Sequence, residues 1–312
     1  MEQVTKNVYT ETKIRGCNPS IVFTSEGSVF VDTAQLLSKL LEMRKFALEC
    51  GPIRYLINTE AHIDHIFGNH WFAGEAITIG HEKLCDDLWK VPGTLDAYDY
   101  SVNVLTRQDP DMLSKMPPRG EYIMMQRPDI TFSDHMSLQL GGTHFEIYHT
   151  PGHSPCQACV YVPEERVAIV GDTLFVDCQT WLHSADIADL LKSLDFLDTL
   201  DVDHIIPGHG PVVTKEYITR QRTFVYEWLG AVAAGIAKGW SMDECISNIS
   251  FEDRCPMDIG QPEMMEYVQR TNTVKCYNYL TKNNSAVRLM NAESQTCKMP
   301  DASIRHFANG LF

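Results

Sequence analysis

The chain has 312 residues, 44% of them hydrophobic, and a formal net charge of −15. That is ample apolar material for a large core, but no run approaches about 18 uninterrupted apolar residues, so no membrane span is expected. The acidic balance and the lack of a basic stripe exclude a nucleic-acid partner, whose phosphates require clustered Lys and Arg. They also disfavour a polyanionic substrate, which the far field repels.

The N-terminal stretch MEQVTKNVYTETKIRG has no apolar signal-peptide region, which makes a cytoplasmic protein the expectation. Residues 20–33, SIVFTSEGSVFVDT, predict two strands joined by a Gly-containing turn. Leu36, Leu37, Leu40, Leu41, Met43 and Leu48 then form a helical stripe. RYLIN predicts a short buried strand, and THFEIYHTPG, RVAIVGD and VDHIIPGHG three more, with a helix over 185–200 between the last two. Residues 85–130 are Met- and Pro-rich with weak periodicity, and read as an insertion beside a site. The ten cysteines are scattered; even the CQAC pair, Cys156 and Cys159, reads as small apolar packing in a reducing compartment.

After Pro211 the texture becomes helical. Ile218, Val225, Trp228, Leu229, Val232 and Ile236 share one face, Ser241 to Glu244 form a capping box, and Pro262 opens a further helix. This divides the chain into a catalytic unit over 1–213 and a helical extension over 214–312, which reads as a lid or a homodimer surface; the tail from about residue 281 is turn-rich.

The chemistry gathers after the strands. In LINTEAHIDHIFGNH, Glu60, His62, Asp64 and His65 follow RYLIN within six positions. Two acids so close repel one another unless something strongly positive sits among them. The pattern recurs: an apolar strand, a Gly-containing turn, then His153 in TPGHSP, Asp172 in VGDTLF and His209 in PGHGP. Four strand ends at one sheet edge would bring together imidazoles and carboxylates, the ligands of zinc, iron and manganese.

These motifs resemble the metallo-β-lactamase-fold hydrolases, whose H-x-H-x-D-H is followed in order by a His in PGH, an Asp in GD and a His in PGHG. The resemblance spans roughly residues 8–213, with one departure: Glu60 stands where the family has its first His. It implies an α/β fold, an αββα sandwich of the metallo-β-lactamase type, carrying two divalent metal ions: zinc by family habit, with iron or manganese admitted by Glu60. It further implies that Glu60, His62 and His153 hold the first ion, Asp64, His65 and His209 the second, and that Asp172 bridges them. The implied activity is hydrolysis of a small acyl compound (lactone, ester, thioester or amide) by a metal-bridging hydroxide, with Asp64 passing the proton to the leaving group. A single-iron oxidoreductase of the same fold and a non-catalytic binding protein are the rival readings.

Other polar residues near the motifs carry weaker signals. Asp32, in FVDT, reads as a partner orienting a ligand or as a helix cap. His183, in TWLHSAD, is the best placed of the remaining histidines for substrate contact, although no spacing supports that role over packing. Trp71, Phe72, Phe175 and Trp181 read as pocket lining or core.

Overall fold

Two β-sheets face each other, and helices cover the outer side of each. The structure, a computed structural model, describes residues 1–84, 97–119, 121–122, 128–254 and 264–282. The first sheet runs in chain order through β1 (Glu2–Gln3), β2 (Val8–Thr10), β3 (Ser20–Thr24), β4 (Gly27–Val31), β5 (Ile53–Ile57), β6 (Ile77–His81) and β7 (Ile130–Phe132). It is antiparallel up to β4 and parallel beyond. The second is ordered β12-β11-β10-β9-β8, from β8 (His135–Leu140), β9 (Thr143–His149), β10 (Ala158–Val162), β11 (Val167–Ile169) and β12 (His204–Ile206), with only the β11–β12 pair parallel.

The layering follows from the two-residue period of the strands. Val29 and Val31 of β4 join Phe145, Ile147, Ala158, Val160, Val167 and Ile169 in a core between the sheets. Phe30, between the two valines, turns outward and packs with Leu37, Leu40 and Met43 of α1 (Leu37–Cys50). On the far side Cys159, Ala168 and Ile205 alternate outward in the same way. They meet Leu190 and Leu194 of α5 (Ile187–Leu197) and Val225, Trp228 and Leu229 of α6 (Tyr217–Ala237). The order helix, sheet, sheet, helix is the expected αββα sandwich. Short helices between α1 and α5 are α2 (Ile63–Ile66), α3 (Ala97–Val104) and α4 (Met112–Lys115).

Cys276 and Leu280 of α8 (Met265–Lys282) join the same outer core as α5 and α6, and the capping box of Ser241 and Glu244 opens α7 (Met242–Asn248). The C-terminal helices therefore bury a face against the second sheet. The stripe on α1 departs from expectation at one point: Leu48 is 45% exposed, because Ala47 takes the buried position in the last turn. Residues 85–96, 120 and 123–127 of the expected insertion, Pro262 and the tail beyond 282 lie outside the described residues. No helix among the described residues is long and apolar enough to cross a membrane. Six of the seven described free cysteines are buried, Cys156 and Cys159 among them, and burial pushes the Cys159 thiol well above its ordinary range.

Candidate metal centre

Every ligand-type residue follows a strand that ends at the same edge. β5 leads to Glu60, and the next turn of chain is α2, with His62 at its N-cap, Asp64 in its first turn and His65 buried within it. The turns after β9, β11 and β12 carry His153, Asp172 and His209. Glycine is needed for these approaches. A Cβ on Gly208 would lie 1.9 Å from Asp172 Oδ1, and one on Gly152, at φ +151°, would lie 2.3 Å from the Leu190 backbone.

The seven side chains converge as two linked groups. Ligand atoms of Glu60, His62, His153 and Asp172 lie within 4.8 Å of one another, as do those of Asp64, His65 and His209. Asp172 joins the groups: its Oδ1 is 3.2 Å from His65 Nε2 and 3.3 Å from His209 Nε2, while its Oδ2 is 3.3 Å from His153 Nε2. Asp64 Oδ2 is 3.4 Å from His209 Nε2. Glu60 reaches into the same space, with Oε2 2.7 Å from His62 Nδ1 and Oε1 3.3 Å from His65 Nε2.

These are not ordinary hydrogen bonds. Both Glu60 oxygens, His65 Nε2 and Asp172 Oδ1 are buried without a hydrogen-bond partner among the described residues. Buried polar atoms left so cost about 1–3 kcal/mol each. Ligand-type atoms aimed at common points, at separations of 2.7 to 3.7 Å, are what neighbouring ligands of one cation adopt, so the donor set fits divalent metal. The titration of the cluster shows the same charge imbalance. Burial would lower the His62 imidazole, but the Glu60 carboxylate overrides it and pushes it up to about 9. Burial would raise Asp172, but His209, His65 and His153 hold it well below the usual carboxylate range. Burial drives His153 well below its ordinary value.

A second layer orients the ligands. Asp32, the residue just after β4, accepts from Thr59 N (2.7 Å) and Thr59 Oγ1 (2.6 Å) and lies 2.8 Å from His65 Nδ1, which leaves Nε2 facing the cluster. It therefore orients a ligand rather than capping α1. His153 Nδ1 is bound by the Trp181 carbonyl at 2.9 Å. Cys17 also lies near Asp32 and His65, but its thiol donates to the Asp64 carbonyl at 3.1 Å. Phe175 stacks on His209, with centroids 5.1 Å apart at 17°. Phe72, by contrast, lies in the α1 core against Phe30.

Several supporting residues carried no sequence signal. Asn18 donates to the Pro207 carbonyl (2.9 Å) and the Gly210 carbonyl (2.8 Å), clamping the PGHG turn from the loop that leads into β3. Ser184 donates to the His153 carbonyl at 2.8 Å. His183, placed between packing and function by its sequence context, stands with its ring 5.0 Å from that of His62. His149 turns away, its Nε2 on the Pro155 carbonyl and its ring stacked on His81.

Comparison with known proteins places this geometry. The family model described as the metallo-beta-lactamase superfamily matches residues 13–209. A linear primary-alkylsulfatase of Pseudomonas sp. is 26% identical over 222 residues, covering 62% of this chain and 41% of that protein. A beta-lactamase-like protein 2 homolog of Caenorhabditis elegans is 23% identical over 203 residues, covering 65% and 58%. The chain thus spans about half the length of these two relatives. Among solved structures, a metallo-beta-lactamase family protein of Thermus thermophilus superposes with a TM-score of 0.63 at 17% identity, over 91% of this chain and 96% of that one.

Proposed function

This chain belongs to the metallo-β-lactamase superfamily, and from that premise we propose that it is a dinuclear metal-dependent hydrolase of small acyl compounds. The observation that carries the reading is the set of buried, partnerless ligand atoms on Glu60, His65 and Asp172. Glu60, His62 and His153 would hold one ion, Asp64, His65 and His209 the other, and Asp172, with one oxygen toward each group, both. When bound, such ions acidify a water and polarise the oxygen of the scissile group.

The chain's own residues supply position and proton traffic. Asp32 and the Trp181 carbonyl present His65 and His153 through Nε2. Phe175 and Trp181 give the site an apolar side. Asp64 is the most exposed of the three carboxylates, with 14% of its side chain accessible against 0% for Glu60 and 5% for Asp172. That makes its carboxylate the group able to receive a proton at the site and deliver it to a leaving group at the mouth. The charge of −15 favours neutral or weakly charged substrates: lactones, esters, thioesters or amides.

Elemental analysis of freshly purified protein, followed by a panel of an aryl ester, a lactone, a thioester and an alkyl sulfate, tests the proposal. Two metal equivalents with turnover of an acyl substrate are expected. One iron per chain would point to an oxidoreductase, no metal to a binding protein, and turnover of the alkyl sulfate alone would replace the acyl class.

A further inference from the structure

We propose that His183 is a catalytic residue of this site: its Nδ1 is the hydrogen-bonding group that holds the acyl oxygen of the substrate over the Glu60 half of the cluster. The proposal rests on the hydrolase reading above and assigns a residue outside the seven ligands.

The argument begins with an unsatisfied atom. His183 Nδ1 is buried and has no hydrogen-bond partner among the described residues. Its neighbours do not supply one. His153 Nδ1 is taken by the Trp181 carbonyl, His153 Nε2 faces His62 Nδ1 at 3.1 Å, and His62 Nε2 lies 3.4 Å from Ser184 Oγ. A buried imidazole nitrogen left unbonded costs about 1–3 kcal/mol, a penalty that a bound polar group would remove.

Its position suits that role. The ring centroid lies 5.0 Å from that of His62 and 5.8 Å from that of His153, with the Trp181 ring edge-on at 5.6 Å. It stands over the Glu60, His62 and His153 group but is in none of the sets of convergent ligand atoms. It is therefore placed beside the side chains that would hold the first ion and is not one of them.

The segment is also held rigidly, as a transition-state contact requires. Leu182 N donates to Asn272 Oδ1 at 2.8 Å, and Asn272 Nδ2 donates to the Thr180 carbonyl at 2.6 Å. Ser184 Oγ is anchored on the His153 carbonyl, and Lys275 Nζ reaches the Ala185 carbonyl at 3.3 Å. Helix α8 thus positions the loop, which gives the C-terminal helices a part in the site.

The test uses the two amide isosteres of histidine. Asparagine places a polar atom near the Nδ1 position and glutamine near Nε2, while phenylalanine keeps a ring with neither. H183N, H183Q and H183F are compared with the unaltered zinc-loaded protein for metal content, for calorimetric binding of acetohydroxamate, and for kcat/KM on the substrate panel. Metal content should be unchanged in all three. Acetohydroxamate should bind about ten-fold or more weakly to H183F and H183Q, the equivalent of one lost hydrogen bond, while H183N retains most of the affinity. Any panel substrate that turns over should lose kcat/KM in the same order. Unchanged binding by H183F, rescue by glutamine instead of asparagine, or loss of metal from H183F would overturn the assignment. Absence of turnover with the binding pattern intact would count against the hydrolase reading alone, and unaltered protein that binds neither metal nor probe would overturn both.

Discussion

Replacing Asp32 with asparagine separates the orientation of His65 from everything else at the site. The native carboxylate serves three donors at once: Thr59 N, Thr59 Oγ1 and His65 Nδ1, at 2.7, 2.6 and 2.8 Å. An amide has one oxygen to offer. If it faces Thr59 N, the NH2 group meets His65 Nδ1 and forces the ring proton onto Nε2, the atom aimed at Asp172 and Glu60. If it faces His65, two donors oppose each other at Thr59 N in a buried setting. Either arrangement costs about 1–3 kcal/mol, which is about 5- to 150-fold in affinity at the Asp64, His65 and His209 position. The backbone is not a confounder, because Asp32 sits at φ 58° and asparagine tolerates that region well. Competition titration of metal-free protein with zinc against a chromophoric chelator should show one of two sites weakened in D32N and the other little changed. Two sites with dissociation constants within a factor of about two of the unaltered protein would refute the view that Asp32 sets the His65 tautomer.

Three further outcomes are expected. Gly208→Ala should displace Asp172, since the new Cβ would fall 1.9 Å from its Oδ1; both metal equivalents should be lost with about 1–3 kcal/mol of stability, measured by elemental analysis and denaturant unfolding. Glu60→His changes three carboxylates against two divalent ions into two, raising the formal charge from +1 to +2. The acid limb of the pH–rate profile should therefore move to lower pH and metal preference toward zinc; movement to higher pH would remove Glu60 from the ligand set. His81 accepts from Lys83 N through Nδ1 and bonds the Ser133 carbonyl through Nε2, and burial together with the stacked His149 lowers its pKa. Because the unfolded chain takes up this proton near pH 6.5 and the folded one only at lower pH, His81 should cost stability as pH falls below about 6.5. H81Q should reduce that slope by at most ~1.4 kcal/mol per pH unit, read from urea unfolding of metal-free protein between about pH 7 and 5.

Strand and ligand lie within about a dozen residues of one another at each motif, so local sequence carried the seven candidate ligands, while the αββα order came from the family resemblance that those motifs carry. Period-two alternation in segments such as GSVFV and RVAIV already says which side chains leave the sheet on which face. Tertiary structure decided the layer around the ligands, because those contacts join segments that are remote in the chain. Asn18 reaches the turn before His209 across 189 positions, and Asn272 reaches Leu182 across 90. A single Asn or Ser has no periodicity to betray it, and its role exists only once two sheet edges meet. His183 shows the same division. Its sequence context pointed to packing ahead of function, and only the folded chain revealed a buried nitrogen without a partner among the described residues beside His62, because hydrogen-bond satisfaction is a property of three-dimensional neighbours.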